Sequence, residues 1–202
     1  GGRRFTASST AKAMFPAWLV KRRKTAANSA PILPPWPMPM NRVIAAVRDV
    51  GKTRAVLDRE AVELDLSDLR SVRTAAADVA GRLDRIDLLI NNAGVMASPL
   101  MRTAQGYELQ LGTNHLGHFV WTNALLDRLA DGSRIVNLSS RGHLMSAMRW
   151  DDPNYEDESA YDKWQAYGQS KTANVLFTVE AERRWGPGGV HSFAVHPGAV
   201  MT

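Results

Sequence analysis

The sequence predicts an α/β protein built on a doubly wound parallel sheet, and three observations support this fold class. Short apolar runs that suit buried strands recur along the chain, longer helical stretches separate them, and polar residues follow the runs. Because a helix between two strands makes a parallel crossover, a regular alternation of strand and helix indicates a parallel sheet with helices packed against it.

The alternation begins after Asn41 and continues toward the end of the 202-residue chain. Five strands are predicted, at residues 43–47, 61–64, 86–90, 134–138 and 190–195. Four helices are predicted between them, at residues 53–59, 69–83, 105–129 and 161–185. In such a sheet ligands bind beyond the carboxyl ends of the strands, so the residues that follow each strand are the first candidates for a site.

Residues 1–40 have a different composition from the rest of the chain. They show no sustained period of 2 or 3.6, and five prolines between positions 31 and 39 exclude a regular helix there. Residues 1–48 hold nine of the 25 Lys and Arg and none of the 20 Asp and Glu, so the remaining chain is slightly acidic. We therefore expect an irregular, basic, proline-rich segment at 1–40, for which a targeting role stays open, and a folded domain at 41–202.

Composition limits the classes of function. Without cysteine the chain has no disulfide scaffold, thiolate metal site or cysteine nucleophile, and a cytoplasmic location is the default expectation. No run of eighteen apolar residues is present to cross a bilayer as a helix. The net charge of +5 belongs to the N-terminal segment, so nucleic-acid binding is not expected. His115 and His118 have ligand-like spacing, but no carboxylate motif accompanies them, and no metal site is expected.

The sharpest chemical signal is the pair Tyr167 and Lys171 on the second long helix. Their i,i+4 spacing places a phenol and an ammonium on one helix face. A tyrosine with its ordinary pKa of about 10 is a poor base at neutral pH, whereas a nearby cation favours the phenolate. Such a tyrosine can exchange a proton with an alcohol or a ketone. Taken alone, the pair is also compatible with two neighbours on a surface.

Five motifs occur in a fixed order along the chain. They are Asn91-Asn92-Ala93-Gly94, Asn114-His115-Leu116-Gly117-His118-Phe119, Ser139-Ser140, Tyr167 with Lys171, and His196-Pro197-Gly198. Together they resemble the short-chain dehydrogenase/reductase family over residues 41–202, and the insertion between Ser140 and Tyr167 is similar to that of retinol dehydrogenases and WW-domain oxidoreductases. The resemblance implies a Rossmann-like sheet and hydride transfer between a nicotinamide cofactor and a small alcohol, aldehyde or ketone, with an apolar substrate and a homo-oligomer expected.

The resemblance also implies catalytic roles for four side chains. Tyr167 is the general acid/base, and Lys171 lowers its pKa and binds the nicotinamide ribose. Ser140 holds the substrate oxygen where charge develops, while Asn114 holds a water that links Lys171 to solvent. Ser139 is the competing serine, but the family pattern selects the second residue of the pair.

The implied cofactor site runs along the carboxyl edge of the sheet. Arg48 follows the first predicted strand, where a cation can meet a 2′-phosphate, so NADP is expected and NAD stays possible. The other residues that match the family's cofactor-binding positions are Asp65, Leu66, Asn91, Ala93, Gly94, Tyr167, Lys171, Pro197, Gly198 and Thr202.

Both ends of the chain depart from the family pattern. The Thr-Gly-x-x-x-Gly-x-Gly turn, which lets the cofactor pyrophosphate approach a helix N-terminus, is lacking, and residues 25–30 have alanine where two glycines are expected. The last strand and closing helices of the family are also not found before Thr202. The predicted sheet is therefore incomplete at both ends. The competing hypothesis is a catalytically impaired relative, or a binding or regulatory protein, that cannot hold the pyrophosphate.

Overall fold

The computed structural model describes residues 17–22, 40–51 and 60–198, and the predicted α/β fold is confirmed within them. Six strands form a single sheet in the order β3-β2-β1-β4-β5-β6. They are β1 (Ala17–Arg22), β2 (Met40–Val47), β3 (Glu60–Glu63), β4 (Ile86–Asn91), β5 (Leu129–Leu138) and β6 (His191–Val195).

Helices connect the strands from β3 onward. They are α1 (Leu69–Arg82), α2 (Leu109–Leu111), a π-helical turn at Gly112–Leu116, α3 (Gly117–Ala124) and α4 (Lys163–Trp185). None of the described helices is long and apolar enough to cross a membrane. The helix predicted at 53–59 lies outside the described residues.

Side-chain caps mark the starts of α1, α2 and α4. The Asp68 side chain accepts a hydrogen bond from the Arg70 amide at the start of α1. Asp162 accepts from the amides of Trp164 and Gln165 at the start of α4, in the usual manner of an N-cap. The third predicted helix, at 105–129, is shorter than expected because Glu108 caps α2 and because the chain leaves α3 at Ala124 through a 3₁₀ turn.

The central strand is the main departure from the sequence prediction. The sequence pattern predicts irregular structure throughout 1–40, but Ala17–Arg22 forms β1 between β2 and β4. This strand runs antiparallel to both neighbours, whereas the remaining pairs in the sheet are parallel. Six residues are too few for periodicity to reveal, and the strand conformation here depends on hydrogen bonds to two partners distant in the sequence.

The direction of β1 has a consequence for the edge where ligands bind. Ala17 pairs with Ala46 near the carboxyl end of β2, while Arg22 pairs with Met40 at the opposite edge. The strand therefore brings its amino end, and not its carboxyl end, to the carboxyl edge of the other five strands.

The core lies between the sheet and the described helices. The crossovers that join β3 to β4, β4 to β5 and β5 to β6 all move in one direction along the sheet, so right-handed connections place their helices on the same face. Buried side chains that meet there include Ile44, Val72, Val79, Leu89, Trp121, Leu125 and Ile135. On β6, Phe193 and Val195 are 46% and 38% exposed, so part of the sheet is not covered by the described chain.

Gly117 supports a close approach between α3 and the segment that follows β3. A Cβ at this position would lie 2.5 Å from the Leu66 carbonyl oxygen. Overpacking of this kind typically costs about 1–3 kcal/mol, so we expect Gly117→Ala to lower the free energy of unfolding by roughly that amount. Gly81 in α1 is the matched control, since its Cβ would meet nothing within 4 Å and Gly81→Ala should stabilise the helix by up to about 1 kcal/mol. Chemical denaturation measures both changes, and an unaltered midpoint for Gly117→Ala would contradict the tight contact.

Candidate active site

A cleft of about 220 Å³ opens at the carboxyl edge of the sheet. Strands β4, β5 and β6 lie side by side, so the turns that follow them converge there although they are distant in sequence. The lining residues are Asn92, Gly94, Val95, Met96, Leu138, Ser139, Ser140, Tyr167, Lys171, His196, Pro197 and Gly198.

Tyr167 and Lys171 both project from α4 into this cleft and are largely buried. The Lys171 Nζ lies 5.6 Å from the centre of the Tyr167 ring. Lys171 Nζ also donates a 2.9 Å hydrogen bond to the Leu138 carbonyl at the end of β5. An ammonium has three N–H donors, so a group held by one carbonyl can still donate to a ligand.

Burial lowers the pKa of Lys171 from its ordinary value of 10.5 to about 8. An ammonium in a low-dielectric site loses hydration, which favours the neutral form. The Lys171 side chain is therefore mostly charged at pH 7 and loses its proton at a lower pH than an exposed lysine does.

The two serines after β5 are held in different ways. Ser139 Oγ donates a 3.0 Å hydrogen bond to the Lys171 carbonyl and so ties β5 to α4. Ser140 Oγ instead accepts a 3.1 Å bond from the Gly142 amide. A hydroxyl that accepts through its oxygen keeps its own proton for donation, which suits Ser140 to hold a carbonyl oxygen in the cleft.

Gly142 brings Ser140 and Tyr167 close together. A Cβ at Gly142 would lie 2.7 Å from Cε1 of the Tyr167 ring and 3.5 Å from the Ser140 Oγ. A side chain at this position would therefore push the serine loop away from the tyrosine. Glycine allows the contact because it has no Cβ.

Asn114 lies fully buried in the π-helical turn. Its Oδ1 accepts a 2.8 Å bond from the Val95 amide, and its Nδ2 donates 2.9 Å bonds to the Val95 carbonyl and to Ser170 Oγ. The side chain thus holds the cleft-lining turn after β4 against α4. Its implied role in binding a relay water stays a prediction.

His115 in this turn and His118 in α3 have different partners. His118 Nδ1 lies 3.0 Å from the Asn114 carbonyl, which can only accept, so Nδ1 carries the proton. Burial lowers the pKa of His118 to about 4, which keeps the ring neutral at pH 7. His115 Nδ1 lies 3.2 Å from Asn174 Oδ1. Within residues 60–198 and the other described ranges, no group of three His, Asp or Glu side chains is arranged to hold a metal.

The residues predicted for the cofactor separate into two groups. Those that line the cleft are Gly94, Tyr167, Lys171, Pro197 and Gly198. The others are not among the lining residues: Arg48, Asp65, Leu66, Asn91 and Ala93. Thr202 lies outside the described residues.

The predicted cofactor residues that do not line the cleft have different surroundings from one another. Arg48 is exposed just beyond β2. Asp65 Oδ1 accepts from the amide and hydroxyl of Ser67. The Asn91 side chain points beneath the cleft, where its Nδ2 donates to Thr122 and Asn137, so only the Asn91 backbone could serve a ligand.

Five cleft residues were not considered as site residues from the sequence, namely Asn92, Val95, Met96, Leu138 and His196, and Ser139 was considered only as the alternative to Ser140. Asn92 and His196 belong to motifs that the sequence reveals, and their adjacency to predicted residues is a usable signal. Met96 is an ordinary apolar residue two positions after Gly94, and nothing in its residue type identifies it.

Comparison with known proteins assigns the family. A family model described as enoyl-(acyl carrier protein) reductase matches residues 41–202. The chain belongs to the short-chain dehydrogenase/reductase family. Human retinol dehydrogenase 13 is 44% identical over 165 residues, which cover 81% of this chain and 50% of the relative. The short-chain dehydrogenase/reductase prx1 of Penicillium rubens is 39% identical over 174 residues, covering 80% and 51%. The chain spans about half the length of these curated relatives.

Solved structures of the family agree with the fold. An uncharacterised protein from Mycobacterium paratuberculosis has a TM-score of 0.70 at 45% identity, covering 79% of this chain and 59% of that one. A short-chain dehydrogenase from Burkholderia cenocepacia in complex with NADP has a TM-score of 0.55 at 28% identity, covering 74% and 57%.

The described residues of this short-chain dehydrogenase/reductase fit one half of a nicotinamide cofactor. Beside the cleft, a Cβ at Gly94 would lie 2.9 Å from Asn114 Oδ1, so only glycine leaves the turn in place next to the Lys171 ammonium. At the position where the pyrophosphate would lie, β1 presents its amino end, and in the ranges described no helix starts from that strand at this edge. The nicotinamide–ribose half therefore fits, and the described chain supplies no pyrophosphate cradle.

The lowered pKa of Lys171 gives a stability prediction. Between about pH 8 and 10.5 the unfolded chain retains this proton while the folded chain has released it, so the free energy of unfolding should rise with pH in that window. The limiting slope is about 1.4 kcal/mol per pH unit. Lys171→Met fills the space without a charge and cannot titrate. Denaturation should therefore show the free energy of unfolding of the wild-type chain rising relative to that of Lys171→Met from about pH 7.5 to 9.5. A constant difference across this range would exclude a titrating buried ammonium.

Proposed function

We propose that this chain is an oxidoreductase that transfers a hydride between NADP(H) and an alcohol, aldehyde or ketone, with Tyr167 as general acid/base. The observation that carries the proposal is the convergence of Ser140, Tyr167 and Lys171 on one cleft, from a strand end and a helix that are adjacent only in the folded chain. Family membership supports the same reaction class.

The chemistry of these residues suits a carbonyl substrate. When bound, the cofactor supplies or accepts the hydride. The Ser140 hydroxyl can donate to the substrate oxygen as negative charge develops there, while Tyr167 gives it a proton during reduction and removes one during oxidation. The Lys171 ammonium lies 5.6 Å from the centre of the Tyr167 ring and can donate to a ribose hydroxyl.

NADP is the proposed cofactor and an apolar molecule the proposed substrate. Arg48 lies exposed beyond β2, where a guanidinium can pair with a 2′-phosphate, and solved relatives are described in complex with NADP or NADPH. Val95 and Met96 give the cleft an apolar wall, and the curated relatives include retinol dehydrogenases, named for an apolar alcohol. A cytoplasmic location and a homo-oligomer stay predictions of the sequence.

Replacement of Tyr167 by phenylalanine tests the proposed reaction. The ring still packs against Gly142, so we expect the fold to persist while kcat for reduction of apolar aldehydes falls roughly 100- to 10,000-fold. Oxidation of NADPH, followed by its absorbance, measures the rate. Tyr107→Phe is the matched control, since Tyr107 does not line the cleft and its loss of a hydroxyl should leave kcat unchanged. Full activity in Tyr167→Phe would assign the proton to another acid.

Replacement of Arg48 by alanine tests the cofactor preference. A charge-assisted contact is worth about 1.5–3 kcal/mol, so Arg48→Ala should raise the Kd for NADPH roughly 10- to 150-fold and leave that for NADH nearly unchanged. Titrations followed by nicotinamide fluorescence give both constants. Arg42→Ala serves as control because Arg42 binds Glu60 in the sheet. Equal losses of NADPH and NADH affinity in Arg48→Ala would refute the role of Arg48. Separately, the wild-type chain should bind both cofactors more weakly than relatives with a glycine-rich turn do.

A further inference from the structure

A single buried glutamine joins two walls of the active-site region. Gln110 in α2 is completely buried. Its Oε1 accepts a 2.9 Å hydrogen bond from the Ala97 amide. Its Nε2 donates a 2.9 Å bond to the Lys163 carbonyl and a 3.2 Å bond to the Tyr161 hydroxyl. Both ends of this amide are thus used by groups on different segments.

On one side, Gln110 holds a strained part of the cleft wall. Ala97 has a φ of +54°, in the left-handed region that residues other than glycine rarely adopt. Such a conformation persists only where the surroundings fix it, and the bond to Gln110 does so. The preceding residue, Met96, lines the cleft and is 44% exposed. The glutamine therefore fixes the backbone directly behind a side chain that a substrate would touch.

On the other side, Gln110 holds the start of the helix that carries the tyrosine. Lys163 is the first residue of α4, and Tyr167 follows one turn later. The Tyr161 hydroxyl, which accepts from Gln110, donates a 3.0 Å bond to the Ser98 carbonyl. The bonds from Gln110 to Ala97, from Gln110 to Tyr161 and from Tyr161 to Ser98 therefore form a closed circuit.

Glu108 fixes the glutamine itself. Its carboxylate accepts a 2.9 Å bond from the Gln110 amide and a 2.7 Å bond from the Leu111 amide. These bonds cap α2 and leave the Gln110 backbone little freedom. The circuit is consequently anchored on the start of α2. This anchor fixes the distance between the Ala97 backbone and the start of α4.

We propose that Gln110 is a positioning residue that sets the distance between the Met96 wall of the cleft and Tyr167. It thereby holds an apolar carbonyl or alcohol in line with the proton-transferring hydroxyl. The inference rests on the proposed function for its kinetic consequence, whereas the structural circuit stands independently of turnover.

Gln169 offers a matched control. It is also completely buried, and its amide binds two backbone groups, the Arg149 amide at 2.9 Å and the Pro153 carbonyl at 2.8 Å. Neither partner lines the cleft. Gln110→Met removes three side-chain hydrogen bonds and Gln169→Met removes two, each with a side chain of similar size, so both variants should lose stability.

Only Gln110→Met should alter the reaction. Per folded chain, we expect kcat/KM for an apolar aldehyde to fall roughly tenfold to a hundredfold, as for other small displacements of a substrate, while the Kd for NADPH is unchanged. The decrease in kcat/KM should be smaller when Met96→Ala is already present, because the effects of two substitutions that act through one contact do not add. Tyr161→Phe, which removes only a hydroxyl from the circuit, should shift kcat/KM in the same direction if Gln110→Met does not fold.

Hydrogen exchange at the Ala97 amide separates this inference from the proposed function. Exchange should accelerate in Gln110→Met, or in Tyr161→Phe to a smaller extent, and stay slow in Gln169→Met. If the wild-type chain shows no turnover, the proposed reaction fails and exchange alone decides whether the circuit holds the wall. Unchanged exchange at Ala97, or equal losses of kcat/KM in the two glutamine variants, would overturn the positioning role.

Discussion

The site depends on the register of three parallel strands, which a buried polar ladder fixes. Asn91 of β4 and Asn137 of β5 are paired across the sheet, and Asn91 Nδ2 donates a 2.8 Å bond to Asn137 Oδ1. Asn137 Nδ2 in turn donates to Ser192 on β6 and to Thr178 on α4. A slip by one residue would leave these buried amides without partners, which is costly. Because the cleft is built from the turns that follow these strands, this ladder fixes the relative positions of the turns that line it.

Close packing above the ladder brings Ser140 and Tyr167 together. Glycine at position 142 lets the Ser140 loop approach the Tyr167 ring, and a Cβ at Gly168 would lie 2.8 Å from the Gly142 carbonyl. The same packing buries the Lys171 ammonium and lowers its pKa to about 8. The arrangement that makes lysine responsive to a ligand therefore also costs some stability at neutral pH.

In the proposed function, substrate chemistry and cofactor affinity depend on different parts of this chain. The groups proposed for proton transfer lie in the turn after β5 and in α4, which the structure describes without interruption. The pyrophosphate position adjoins β1, whose reversed direction places an amino end where a helix N-terminus would favour phosphate charge. Weak cofactor binding and an intact proton-transfer site are therefore compatible in one molecule.

The sequence alone predicts the order of the described strands and helices from β2 onward and the pairing of Tyr167 with Lys171. Both follow from backbone periods that repeat within a few residues, so local sequence is sufficient to specify them. The direction of β1, the inward turn of the Asn91 side chain and the two-sided contact of Gln110 were decided only by the tertiary structure. Each depends on which distant segments pair or pack, and a six-residue strand or a lone glutamine has no periodic signal that records its partners.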